Sequence, residues 1–517
     1  MSECSSITVL TKWLDQYLNF ERLPQKNIFW LDTMQYLCKR FNHPEYFCPS
    51  FHVAGSKGKG SISKMIACIL ERAGYKTGLY SSPHILEFSE RIENAKTKLP
   101  EKVYEESVKE IMAGVQSIIP EDLPLQRPVT WFELVTLYAM LCFRNYNADY
   151  SVYEVGLGGR LDATNVITPK CCCIGPIELE HTEYLGDTVE KIAFEKGGII
   201  KPSIPVIISK QKPSVKKVFK DIAEQRKAPV VFIDDILKSC EYVYKNRQLS
   251  NVSYINEKPL YNKGESAFYG NRNKGADDNN FVKASETSKI DGNSFMGTDI
   301  GMDIKLEFSK DTELGRSFKR PINATLKLLG EFQMYNAAVA CLAVKTVFPN
   351  LDESIIEHGL SDAKLPGRFE IVSPVENYPN IPELILDGAH TVNSVNFTMQ
   401  TFTKLYENPE IVRASRAHLL FACAADKDFE DISAFFENKF DDVMLTRPGE
   451  TKASNMERLE KAFESKDIKH ETCSDYVRAI EMALEKANEG HAPLLVTGSF
   501  YLVAEVKKFL LGKKCCC

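Results

Sequence analysis

Between Phe51 and Ser61 the chain reads FHVAGSKGKGS. An apolar run ends at Gly55, and Gly58 and Gly60 then interleave with Lys57, Lys59 and Ser61. SISKMIACILERAG continues from there, with Ile62, Met65, Ile66, Ile69 and Leu70 at helical spacing. Strand, glycine turn and helix together make a cradle for an anion. Glycines free backbone N–H groups to converge on phosphate oxygens, and the helix start adds its positive end. In such a loop Lys59 would reach the terminal phosphates of a nucleotide, and the Ser61 hydroxyl would sit on a magnesium ion. The spacing Gly55-x-x-Gly58-Lys59-Gly60-Ser61 is shorter than the G-x-x-x-x-G-K-[ST] pattern. A basic surface turn is the alternative reading.

Other candidates stand at strand ends. Glu154 closes YSVYEV, directly before Gly156-Leu-Gly-Gly159, where a carboxylate beside a phosphate loop would hold magnesium. Arg160 and Asp162 are expected to pair and brace that loop. His181 lies in ELEHT, and the helical stretch LGDTVEKIAFEK carries Lys196 back toward the sheet. A histidine alone more often serves packing or capping, and Lys196 is what strengthens the case. Spaced Cys and His ligands are missing, which favours magnesium over zinc. Further on, Asp387-Gly-Ala-His390 ends a strand, Arg368 sits in LPGRFE, and Asp426-Lys427-Asp428 follows LLFACAA. Arg368 could meet a phosphate and Lys427 an anionic substrate; an ion pair with Glu370 and a solvated turn are the respective alternatives.

These residues need strands that end on one edge. Strands alternate with helices through residues 1–241 and again from Ile322, which predicts an α/β chain with mostly parallel sheets. Thr130 with Glu133 forms a capping-box pattern, and TWFELVTLYAMLCFRNY is apolar nearly all round, so a buried helix is expected. From Asn246 to about Lys319 the chain is too rich in Asn, Gly, Lys, Ser and Asp to pack a core, and reads as an insertion with strands at VSYI and MDIKLEF. The boundary is set at 320/321: a phosphate-loop domain over 1–320, carrying the insertion at 246–319, and a Rossmann-like domain over 321–517.

At 517 residues and 44% hydrophobic, the chain can fill two or three cores. A net charge of −6 argues against a nucleic-acid binder. No apolar run approaches 18 residues, so no membrane span is expected. MSECSSITVLTKWLDQ lacks a basic region followed by an apolar run, so no signal peptide is expected. Fifteen cysteines, including the runs Cys171–Cys173 and Cys515–Cys517, form neither a disulfide framework nor a zinc pattern, and suit a reduced, cytoplasmic protein.

The set as a whole resembles the folylpolyglutamate synthases and dihydrofolate synthases, within the Mur-type ATP-dependent amide ligases. The matching stretches are HVAGSKGKGS (52–61), SSPHILEFSERI (81–92), TWFE (130–133), EVGLGGRLDATN (154–165), EHTEYLGDTVEKIAFEKGGIIK (180–201), LPGRFE (365–370), LDGAH (386–390), DKD (426–428) and VTGSFY (496–501). They run in the family's order across nearly the whole chain. The resemblance implies a two-domain Mur-ligase-like fold and ligation of L-glutamate to a folate through an acyl phosphate, with ATP, magnesium, folate and glutamate as small-molecule partners and a monomer in solution. Gly55, Gly58, Lys59, Gly60 and Ser61 would hold the nucleotide, and Ser61 with Glu154 the first magnesium. His181 would help bind a second, with Lys196 resembling the lysine that family members carbamylate. Asn336 and Arg368 look like nucleotide contacts from the second domain, and Asp387 and His390 like residues near the phosphates or incoming amino acid. Ser82, Pro83 and His84 resemble the pterin-side loop, with Arg91 beside it. Ser56-Lys57 stands where the family reads Thr-Asn, Glu180 where it reads Asp, Phe332 where it has His, and Thr391 where Asn often follows DGAH. Dihydropteroate as acceptor, another Mur-type ligase, and a nucleotide-hydrolysing switch are the competing readings.

Overall fold

The computed structural model describes residues 5–19, 31–246, 299–373, 375–406, 408, 416–450 and 452–512. The VSYI strand, most of the insertion and the terminal cysteine run lie outside the described residues.

Seven strands form the first sheet: β1 (Ser50–Ala54), β2 (Thr77–Tyr80), β3 (Ile92–Glu93), β4 (Tyr150–Glu154), β5 (Cys171–Ile174), β6 (Val206–Ile208) and β7 (Val230–Phe232). Their order is β3-β2-β4-β1-β5-β6-β7, parallel except for β3 against β2. The sheet is covered on both faces, so β1, β2, β5 and β6 are buried end to end. Period-two alternation sorts their side chains. Phe51, Val53, Cys171, Cys173 and Ile207 join the core around helix Lys59–Arg72. Ala54, Cys172, Ile174, Val206 and Ile208 join the core under helices Val189–Gly197 and Pro213–Gln225. The cysteine run is therefore ordinary core strand, three small apolar side chains pointing alternately to two faces. Over β2 and β4, helix Trp131–Tyr146 packs with Glu101–Gln116, Asp32–Arg40 and Ser5–Leu14. Its capping box forms as expected: Thr130 Oγ1 accepts from the Glu133 amide, and Glu133 accepts from the Thr130 amide.

A three-stranded antiparallel sheet follows, made of β8 (Leu237–Asn246), β9 (Ile300–Phe308) and β10 (Ile322–Leu326). The expected MDIKLEF strand is real. The expectation that the stretch up to Lys319 cannot pack a core is not met beyond residue 299: Met302, Leu306, Phe308 and Phe318 are buried.

The second large sheet has β11 (Glu370–Val372), β12 (Leu384–Leu386), β13 (His418–Phe421), β14 (Asp442–Leu445), β15 (Glu471–Thr472) and β16 (Leu494–Thr497). Its order is β11-β12-β16-β13-β14-β15, parallel apart from β11. The 320/321 boundary needs correction. Helices Glu331–Val347 and Glu353–Asp362 lie on helix Lys59–Arg72 of the first unit. Helix Glu353–Asp362 comes so close that a Cβ on Gly359 would stand 2.5 Å from Ile69 Cα, and Arg72 and Lys96 both pair with Asp362. The first structural unit therefore runs to about residue 363, and the second sheet begins at Glu370.

Candidate active site

Helix Lys59–Arg72 starts on Gly58, which is left-handed at φ 79° and provides no side-chain cap, so the first-turn amides stay open toward the loop. The loop is locked to the turn after β5. Ser56 and Lys57 amides donate to Pro176 O at 2.9 and 3.3 Å, and the Gly175 amide donates to Ala54 O at 2.8 Å. On the other side Asn336 presses on Gly58: a Cβ there would lie 2.4 Å from Asn336 Oδ1. Asn336 Nδ2 donates to Gln333 Oε1 at 2.9 Å. Asn336 thus belongs to a helix of the first unit, not the second domain, and what it touches is the loop.

Lys59 Nζ folds back to Gly55 O at 2.9 Å and Ser56 O at 3.5 Å. Ser61 and Glu154 are both buried at the base of the loop. The only hydrogen bond to the Glu154 carboxylate among the described residues is a 3.4 Å one from the Ser82 amide. Burial raises this carboxyl, while Lys59 first, then Arg368, the Ser82 amide and Arg91 pull it down. A hydroxyl and an under-used carboxylate at the end of β4 form a hard oxygen donor pair, which fits magnesium.

Lys196 returns to the loop as the sequence implies. Its ammonium is almost fully buried and donates to Gly55 O at 3.0 Å and Glu180 Oε1 at 3.1 Å. Burial, then the repulsion of Lys59, lowers its pKa to about 8, against the pull of Glu180. Glu180 holds the centre of this cluster, and Lys57 Nζ stands 3.7 Å from its other oxygen. Burial would raise the Glu180 carboxyl, but Lys196, Lys59, Lys57 and His181 outweigh it and hold it at about 2. His181 follows at φ 49°, at the solvent-open rim. Crowding and nearby Lys196, Lys59 and Lys427 lower its pKa against Glu180, so its ring is neutral near pH 7. An ammonium cannot ligate a metal, so His181 and Lys196 as they stand do not make a second metal site. Among the described residues no cluster of three His, Cys, Asp or Glu side chains does either.

The expected Arg160–Asp162 pair does not form. Arg160 pairs with Glu195 at 2.9 Å. Asp162 instead accepts from the Gly156, Leu157 and Thr164 amides, holding the glycine loop through backbone.

From the second sheet, Arg368 reaches the same place. Its guanidinium stacks 4.2 Å over the Phe500 ring, stays open to cleft solvent, and makes no hydrogen bond among the described residues. Its field acts on Glu154 and Asp387. Asp387 is not free for substrate. Its Oδ2 accepts from the Phe369 amide at 2.7 Å, and its Oδ1 accepts from the Ala389 amide at 2.9 Å and Thr398 Oγ1 at 2.8 Å. It fixes the turn that carries Arg368. Asp387→Ala would orphan the Phe369 and Ala389 amides and leave Thr398 Oγ1 only its bond to Ser394 O, and a loss of about 3 kcal/mol in chemical denaturation is expected, with a smaller loss for Asp387→Asn. Equal stability of Asp387→Ala and wild type would disprove this bracing role.

His390 Nδ1 donates to Gly388 O at 2.8 Å. Burial, then Lys57, lowers its pKa to about 4, so Nε2 is an acceptor near neutral pH. Lys427 pairs with Asp426 at 2.7 Å and projects its field onto both His181 and His390. Ser82, Pro83 and His84 lie at the end of β2, the Ser82 amide against Glu154. Arg91 turns inward: it is buried, stacks 5.0 Å over Trp131 and donates to His84 Nδ1 at 2.7 Å. It shapes the loop and offers no open surface to a substrate.

Comparison with known proteins agrees with this arrangement. Residues 367–500 match the family described as Mur ligase, glutamate ligase domain. The chain is 27% identical to the dihydrofolate synthase/folylpolyglutamate synthase of Bacillus subtilis (strain 168), over 93% of this chain and 94% of that one. It superposes on the crystal structure of folylpolyglutamate synthase from Thermotoga maritima with a TM-score of 0.68 and 26% identity, covering 98% and 97% of the two chains. It shares its fold, at a TM-score of 0.74 and 24% identity, with Mycobacterium tuberculosis folylpolyglutamate synthase complexed with ADP, covering 98% and 99%. The second half of the cleft thus matches a glutamate-ligase domain, and the chain is similar along nearly its whole length to folylpolyglutamate and dihydrofolate synthases.

Proposed function

We propose that the protein joins L-glutamate to the terminal carboxylate of a reduced folate at the expense of ATP, through an acyl phosphate. The observation that carries this is the meeting of Lys59 and Glu154, on the edge of the first sheet, with Arg368 and His390 from the edge of the second. Ligands bind at such strand ends in α/β folds.

The folate carboxylate oxygen attacks the γ-phosphorus, the bond to the β,γ-bridging oxygen breaks, and ADP leaves with that electron pair. The glutamate nitrogen then attacks the acyl carbon, and phosphate leaves with the electrons of the carbon–oxygen bond. Lys59 and Arg368 oppose charge on the phosphoryl oxygens, and the open amides at the helix start orient them. Neutral His390 accepts a hydrogen bond from the incoming amine through Nε2. The walls of the two units exclude water from the acyl phosphate. Magnesium held by Ser61 and Glu154 would neutralise developing phosphoryl charge.

Lys196, with a pKa of about 8, has a neutral fraction at neutral pH whose nitrogen lone pair can attack the carbon of carbon dioxide. A nitrogen–carbon bond forms and a proton is lost, giving a carbamate anion beside His181, with Lys59 close enough to balance it. That donor set would suit a second magnesium. Dihydropteroate is the second acceptor to consider, because the Bacillus subtilis relative is named for both activities.

The test is mass spectrometry of products from ATP, magnesium, L-glutamate and either tetrahydrofolate or dihydropteroate. Steps of about 129 Da, one glutamyl residue joined by an amide, are expected on the folate. Product from dihydropteroate as well would make the enzyme bifunctional. ADP release without product would overturn the ligase reading. For Lys196, carbon-13 bicarbonate should give a carbamate resonance that is absent in Lys196→Arg. Its absence in the unmutated protein would remove the carbamate.

A further inference from the structure

Lys57 sits in the middle of the glycine loop, and the site as described gives it no task. Its backbone is immobilised: the amide is bound to Pro176 O, and its carbonyl fills the space a Cβ on Gly175 would need, at 2.2 Å. Only the side chain can swing. Its side chain is 27% exposed, and its one described partner is Glu180 Oε2 at 3.7 Å, beyond hydrogen-bond reach. Glu180 meanwhile has a better partner in Lys196 at 3.1 Å. Lys57 therefore has donors in hand and a weak hold on its anchor. Its surroundings are cationic as well as acidic: Lys59 and Arg368 push against it, Glu180 and Glu178 attract it. Its charge is also felt by His390 across the seam between the two units. A cation placed among three other cations, at a phosphate loop, is poised for an anion of more than one charge.

We propose that Lys57 is a second catalytic lysine of the glycine loop, whose ammonium leaves Glu180 to contact an oxygen of the γ-phosphoryl group as that group passes from ATP to the substrate carboxylate. This rests on the ligase reading and deepens it. Lys57 neither gains nor loses a proton in the step; the bond made is carboxylate oxygen to γ-phosphorus, and the bond broken releases ADP. With Lys196 as the ammonium, Glu180 keeps its 3.1 Å partner when Lys57 departs, so the loop is not left with an unpaired buried carboxylate.

The experiment compares Lys57→Met, Lys57→Asn and Lys57→Arg with the unmutated protein. Calorimetric affinity is read for ADP and for the non-hydrolysable triphosphate AMPPCP, and kcat and KM for ATP and glutamate. ADP affinity is expected to hold within about threefold, AMPPCP to weaken about tenfold, and kcat to fall about 10–100-fold in the Met and Asn variants, below the effect of deleting a principal phosphate donor. Lys57→Arg should recover much of this, because the charge returns. Equal losses for ADP and AMPPCP, or no loss for either, would overturn the proposal. So would a lowered unfolding midpoint with kcat and nucleotide affinities intact, which is the mark of a purely structural ion pair. The binding arm needs no folate, so it stands apart from the ligase reading, whose failure would show as ADP release without product in the unmutated protein.

Discussion

Lys59→Ala is expected to lower kcat by about 10²–10³-fold while leaving the fold intact. Lys59 opens its helix, and among the described residues its ammonium satisfies only the loop carbonyls of Gly55 and Ser56. Gly55 O keeps the Lys196 ammonium as a donor at 3.0 Å once the side chain is removed, so little stability depends on it. Its electrostatic reach is much larger. It is the foremost cation acting on Glu154, and it also bears on Glu180, Lys196 and His181. A cation that acts on these four ionisable groups stands where phosphoryl charge must develop. Lys59→Arg keeps the charge but lengthens and flattens its head, and should recover only part of the rate. Steady-state ADP release with and without glutamate measures both. Near-normal turnover in Lys59→Ala would remove the glycine loop from the mechanism.

The glycine loop and its helix were readable in the sequence because their signals are local. Gly58 is needed for a positive φ, and the apolar residues after it repeat at helical spacing. Thr130 and Glu133 were readable for the same reason. The return of Lys196 was readable: a helix was expected over LGDTVEKIAFEK, and it forms as Val189–Gly197, starting a few residues later than expected. The domain boundary was not readable. Composition changes where the polar insertion starts and stops, and helix Glu331–Val347 is buried nearly all round. An all-apolar helix has no face that reveals which sheet it serves. Nor could sequence separate Asp387, whose oxygens hold backbone amides, from an acidic residue facing a ligand, since the partners lie at Phe369, Ala389 and Thr398. Arg91 misled in the same way: charge suggests exposure, while Trp131 and His84 bury it. Glu180 stood out only as one methylene more than the expected aspartate. Its importance comes from two lysines, at 57 and 196, that converge on it in space.

Gly175→Val should disable the site from a position that carries no functional group at all. Gly175 follows β5 and lies directly beneath the phosphate loop. A Cβ there would meet Lys57 O at 2.2 Å, and the reverse clash exists too, since a Cβ on Gly55 would meet Gly175 Cα at 2.8 Å. Both obstacles are backbone, which cannot rotate away as a flexible side chain could. The loop must therefore lift, breaking the Ser56 and Lys57 amide bonds to Pro176 O and moving the Gly55 carbonyl that Lys59 and Lys196 share. Overpacking of this kind costs about 1–3 kcal/mol, visible as a lower unfolding midpoint. Displacing the loop amides should also weaken nucleotide binding by at least about tenfold, since a shift of about 1 Å is enough to spoil such a constellation. Gly60→Ala is the control. Its Cβ would find nothing closer than Glu154 Oε2 at 3.6 Å, an ordinary contact, and alanine favours the helix it would join. Stability near wild type in Gly60→Ala beside a clear loss in Gly175→Val would tie nucleotide binding to the packing of two backbone turns. Unchanged nucleotide affinity in Gly175→Val would mean that the loop takes its binding shape without the β5 turn beneath it.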